Sequence, residues 1–172
     1  MKFNLRHLIL SLLIGYVLTV LAPVLQAKNN NIKLDITTHL GDVHNFSKGD
    51  TVSFLLSLDQ DAYVFVVYET ATGELIQLIP NAAVATNFYK AGLYITIPEP
   101  DSGFVFKIQE PFGREKLWAF AVSSQTPEFS GDVLANGLKQ LKVSLAELVK
   151  TLKSDKKGFG QTQYHLHTHA GK

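Results

Sequence analysis

The 172-residue sequence has no cysteine, a single tryptophan and few charges, with 18% of its residues Asp, Glu, Lys or Arg. Without thiols there are no disulfides, no cysteine nucleophile and no lipid attachment through a leader cysteine. Exported chains of this size commonly rely on disulfides, so stability here has to come from an apolar core. A hydrophobic content of 46%, with 11 Phe and 6 Tyr, supplies the material for one. The formal net charge is only +1. That leaves no cationic surplus to displace counterions, and nucleic-acid binding is not expected. Catalytic signatures are also missing. There is no Gly-x-Ser-x-Gly elbow, and Gly158-Phe159-Gly160 lacks the lysine and following helix of a phosphate-cradling loop. The sequence reads as that of a non-enzyme.

The chain opens with Lys2, Arg6 and His7, followed by an uncharged apolar run from Leu8 to Leu21 and then Leu25-Gln26-Ala27. This reads as a signal peptide over residues 1–27, cleaved before Lys28, which sends the remainder to the periplasm. A retained membrane anchor is the competing reading; Gly15, Pro23 and a run near the lower length for spanning weaken it. The leader carries two basic residues and no acid, so its removal lowers the formal charge from +1 to −1. Residues 28–172 are of a length that suits one domain.

Most of that domain reads as β. Ile32, Leu34 and Ile36 alternate with polar residues, and Val52, Phe54, Leu56 and Leu58 share one face of a second run. Ala62 to Tyr68 is apolar on both faces, which marks a central strand covered on each side. Thr72-Gly73 turns it into Leu75 to Ile79, so these two form a hairpin. Further strands are expected at Leu93 to Ile97, Phe104 to Ile108, Lys116 to Val122 and residues 159–169. The turns between them recur at intervals that fit an antiparallel β-sandwich, immunoglobulin-like or related.

Between the last two strands the period changes. Leu134, Leu138, Leu141, Leu145, Leu148 and Leu152 are spaced four, three, four, three, four, which predicts an amphipathic helix over 132–157 with Asp132 as N-cap. On that wheel Lys139, Lys142, Lys150 and Lys153 flank the leucine stripe. The usual fate of such a stripe is packing on its own sheet, with the lysines solvated. The alternative is contact with another protein or an anionic membrane face.

The punctuation of the β region has a familiar order. Phe46-Ser47-Lys48-Gly49-Asp50 is followed by Asp61-Ala62-Tyr63-Val64, Gly73, Leu78-Ile79-Pro80-Asn81, Ala91-Gly92, Ile97-Pro98 and Pro111-x-Gly113-x-Glu115-x-Leu117-Trp118-Ala119. Over residues 46–122 this resembles the bacterial DUF4384 family, a domain of unknown function. The resemblance implies an envelope-associated, compact β domain, often appended to larger proteins, and no particular activity. In physical terms the marks are turn and core residues. Gly49-Asp50, Gly73, Gly92 and Gly113 suit tight turns. Asp61 suits a turn, Pro80, Pro98 and Pro111 end strands, and Tyr63 and Trp118 carry large apolar area with a polar tip. Glu115 can accept donors beside the Phe112-Gly113 turn.

Three candidate sites stand against this structural reading. His165, His167 and His169 would line one face of the final strand and could take zinc or another transition metal, with His39 or His44 added; an exposed polar strand is the bland explanation. Asp59 and Asp61 flank a turn and could weakly hold a hard cation, although solvation of the turn explains them as well. Phe88, Tyr89, Tyr94 and Phe112 could line an aromatic cleft for a protein partner or for a small ligand or glycan. The leading expectation is a protein-interaction module that acts on an envelope machine such as a secretion system through an exposed sheet edge or aromatic patch. No cofactor is expected beyond that metal, and no membrane contact beyond the leader.

Overall fold

A computed structural model describes residues 31–125, 127–154 and 158–171. The expected signal peptide lies outside the described residues. Within them the chain is mainly β and sandwich-like, as the alternating pattern predicts, with one short helix.

The strands are β1 (Leu34–Thr38), β2 (Asn45–Ser47), β3 (Phe54–Leu58), β4 (Ala62–Glu69), β5 (Leu75–Ile79), β6 (Phe88–Tyr89), β7 (Ile95–Ile97), β8 (Arg114–Val122), β9 (Gly131–Val133), β10 (Lys139–Leu141) and β11 (Phe159–His169); the helix, α1, is Leu145–Lys153. They form two sheets. The small one has the order β1-β3-β7 and is antiparallel throughout. The large one runs β2-β11-β8-β4-β5-β10-β9, with β6 also on β4. Its pairings are antiparallel except β2 with β11.

Period-two alternation divides each central strand of the large sheet between two cores. On β8, Leu117, Ala119 and Ala121 face the small sheet, in one core with its Phe54, Leu56 and Ile97 and with Leu166 of the neighbouring β11. Phe120 and Val122 point the other way, to Phe65, Val67, Leu148 and Leu152. β4, apolar on both faces in the sequence, is the strand covered on both sides. Fully burying a side chain such as Phe54, Leu56 or Phe120 contributes about 1.5–3 kcal/mol.

The helix expected over 132–157 is shorter, beginning only at Leu145. The segment before it is the hairpin β9–β10, so Asp132 is a strand residue opposite Gln140 rather than an N-cap. The cause is local. Asn136-Gly137 is a turn pair, and Gly137 sits at φ +80°, a conformation that side chains resist and helices do not use. Leu134 and Leu138 flank that turn, and Leu134 N donates to Leu138 O at 2.8 Å. The helix that does form is capped by Ser144, whose Oγ accepts from Glu147 N at 3.2 Å. It buries Leu148 and Leu152 on the large sheet, and Lys150 and Lys153 lie in its last turn, where the dipole favours cations. Lys139 belongs to β10, so the four lysines do not share a helical flank. Among the described residues no helix is long and apolar enough to cross a membrane.

Phe104 to Ile108, expected as a strand, pairs through an isolated bridge between Thr51 and Lys107 and the bonds from Val52 N to Phe106 O, Ile108 N to Asp50 O and Gly49 N to Ile108 O.

Candidate functional site

The family-like marks hold turns and the core, as their chemistry predicts. Asp50 Oδ2 accepts from Ser47 N at 2.8 Å. Asp61 accepts from Lys90 Nζ at 2.7 Å and Ala91 N at 3.0 Å, which ties the start of β4 to the Ala91-Gly92 turn. These two bonds, the lysine's first, hold its carboxyl below the usual range. Asp59 instead accepts from Lys33 N at 2.9 Å, so the two aspartates serve different partners. Trp118 Nε1 donates to Glu69 Oε2 at 2.7 Å. Tyr63 stacks at a tilt on Phe88. Pro80, Pro98 and Pro111 all follow cis peptide bonds.

Glu115 is the least ordinary of the marks. It points between the two sheets and is 2% exposed. Thr168 Oγ1 donates to its Oε1 at 3.1 Å, and Oε2 has no hydrogen-bond partner among the described residues. Burial pushes the carboxyl above its ordinary range, against the pull of the Tyr68 and Thr168 hydroxyls. Burial, and then the neighbouring carboxyl, likewise raise the Tyr68 hydroxyl. Thr168 also accepts from Gly113 N at 3.0 Å, and its own N–H donates to Gly113 O at 2.9 Å. The group therefore fastens the Gly113 turn to the end of β11.

The three C-terminal histidines do alternate on one exposed face of β11. His165 stands opposite Lys116 and His167 opposite Arg114, so the ladder is flanked by cations. His44 Nδ1 bonds His165 O at 2.7 Å, and His39 Nδ1 accepts from Ser53 N at 3.1 Å. Among the described residues no three His, Asp or Glu side chains are grouped so as to hold a metal ion.

The four aromatics do not form one patch. Phe88 lies opposite Tyr63 at the start of β4, whereas Phe112 precedes β8, whose Lys116 lies opposite Glu69 at the far end. Six strand residues separate those positions by about 20 Å. Phe112 packs against the inter-sheet core. Phe88 packs on Tyr63, on the helix side of the large sheet, and only Tyr89 and Tyr94 share a corner. Tyr89 is fixed by its hydroxyl on Glu99, Lys90 lies over the Phe88 ring at 5.2 Å, and Tyr94 is 73% exposed beside Leu93 at 64%. Tyr89, Leu93, Tyr94, Thr96 and Glu99 line a shallow cleft of about 250 Å³ here. It borders β7, the last strand of the small sheet, whose outer side pairs with no strand among the described residues.

A larger cleft, about 420 Å³, lies on the helix side of the large sheet. Phe65, Gln77, Pro80, Asn87, Val133 and Lys139 are among the residues lining it. The sequence reading did not single it out. The available signal was Gln77, a lone amide within Leu75-Ile76-Gln77-Leu78-Ile79.

A family model described as "Domain of unknown function (DUF4384)" matches residues 45–126. This is the family, and very nearly the segment, to which the sequence marks point. Comparison with curated proteins and with solved structures returns no match.

Proposed function

We propose that the protein is an exported, non-enzymatic protein-interaction module, an accessory or assembly factor of an envelope machine such as a secretion system. The observation that carries the reading is the open edge of β7 beside exposed Leu93 and Tyr94. An unpaired edge offers backbone donors and acceptors to an extended segment of a partner, and adjoining apolar side chains add selectivity. Tyr89 on Glu99 and Lys90 on Asp61 hold the surroundings in place, which lowers the ordering cost of binding. The basic, apolar leader pattern supports export. The family-like marks serve turns and core rather than a reacting constellation, which supports a binding role.

A photoreactive residue at position 93, introduced in the native bacterium, tests this. A discrete adduct with an envelope protein is expected, lost when Tyr94→Asp is added and absent with the probe at exposed Asp35. Adducts that are equal at positions 93 and 35, or indifferent to Tyr94→Asp, overturn the assignment of the edge. Recovery of the protein in the cytoplasm with residues 1–27 intact overturns export.

A further inference from the structure

We propose that the large cleft is a binding site for a carboxylate-terminated peptide unit, an acylated amino acid with an apolar side chain, separate from the β7 edge. The argument starts from register. Lys139 on β10 lies directly opposite Gln77 on β5. Leu75 and Leu141, two residues away on the same strands, both pack in the helix-side core. Alternation therefore places Gln77 and Lys139 side by side on that face. Both line the cleft.

Each brings half of a recognition pair. Gln77 is 7% exposed. Its Nε2 donates to Pro80 O at 2.6 Å. A carbonyl can only accept, so the amide nitrogen must face Pro80, which leaves Oε1 as the acceptor. That oxygen is buried with no hydrogen-bond partner among the described residues, and a buried acceptor left unpaired is costly. Lys139 Nζ is answered by Glu128 Oε1 at 3.1 Å and by Phe129 O at 3.4 Å. The Lys139 side chain is 21% exposed and that of Glu128 88%, so the carboxylate is held loosely from the solvent side and can be exchanged for another. An acceptor beside an ammonium complements a ligand with an N–H beside a carboxylate. An acylated amino-acid terminus has that arrangement. Phe65, Pro80 and Val133 supply apolar wall for its side chain. The volume falls within the roughly 300–1,000 Å³ of small-ligand sites. A polypeptide C-terminus and a cell-wall-type peptide ending in a D-residue share this chemistry.

Titration calorimetry with the protein lacking residues 1–27 tests the site, using N-acetyl-Ala-Leu and its C-terminal amide, each with an L or a D terminal residue. The acid is expected to bind with Kd of about 1 mM or tighter, and the amide at least about tenfold more weakly. Lys139→Met should remove that preference. Val133→Trp, at a position 71% exposed and therefore harmless to folding, should block binding by filling the cleft. Lys150→Met on α1 should change neither. A preference for the L or the D terminus identifies the source while supporting the site. No binding of either acid, equal binding of acid and amide, or an acid signal unchanged in Val133→Trp overturns the proposal.

Discussion

On one face of the large sheet Val64, Val66, Leu117 and Ala119 meet a second sheet; on the other, Phe65, Val67, Phe120 and Val122 meet a nine-residue helix and connecting segments such as that carrying Phe129. On the sheet-on-sheet side β1, β3 and β7, with Phe106 and Ile108, close one core over the middle of the large sheet. α1 covers only the part of the other face reached by Leu148 and Leu152, and the large cleft opens away from it, above Gln77 and Lys139. Different covers thus give one face the role of support and leave the other room for a ligand.

This difference can be broken from either side. Leu56→Ala should destabilise most, by about 3–5 kcal/mol in urea unfolding, because paired strands on both layers cannot collapse into the cavity. Leu148→Ala removes an equally buried side chain, yet a short helix can shift, and about 2–3 kcal/mol is expected. Equal losses would mean that both covers are equally rigid. Gly137→Ala strains the β9–β10 turn and should cost about 1–2 kcal/mol while leaving the small-sheet side intact by hydrogen exchange.

A smaller effect concerns Glu115. Its folded carboxyl holds a proton more tightly than the unfolded one. The resulting stabilisation is present in full below the unfolded glutamate range and is lost as pH rises through the folded value. Glu115→Gln keeps the neutral shape and lacks this titration. The variant should therefore gain stability relative to the parent as pH is raised from about 4 towards 7. A difference independent of pH would show that the carboxyl ionises normally. Smallest of all, replacing His165, His167 and His169 together by alanine should shift unfolding by less than about 0.5 kcal/mol, as expected for exposed strand positions.

The same contrast decides what was legible in the sequence. Strands of the sandwich side announce themselves through period-two alternation, and β11 falls on the residues 159–169 expected of it. The helix side misleads because Leu134, Leu138 and Leu141 fit a helical wheel and a hairpin equally well. Asn136-Gly137 and the capping pair Ser144 and Glu147 were the residues that could separate them. The aromatic set was half legible: local turns bring Tyr89 and Tyr94 together, but only the pairing of β4 with β8 reveals that Phe112 lies at the other end. The large cleft depends on which residues of β5 and β10 fall opposite each other, a long-range register that no local pattern encodes.

β11 pairs along nine residues of β8 and supplies the strand neighbour of β2. The segment matched by the family model, 45–126, contains β2 and β8 but not the strand that joins them. Cut out at those limits, it would expose one whole flank of β8 and leave β2 unattached. A nascent chain meets the same situation: until residues 159–169 emerge, its main sheet carries a sticky, unfinished margin. Completion of the last strand, rather than local propensity, sets when this molecule can become native.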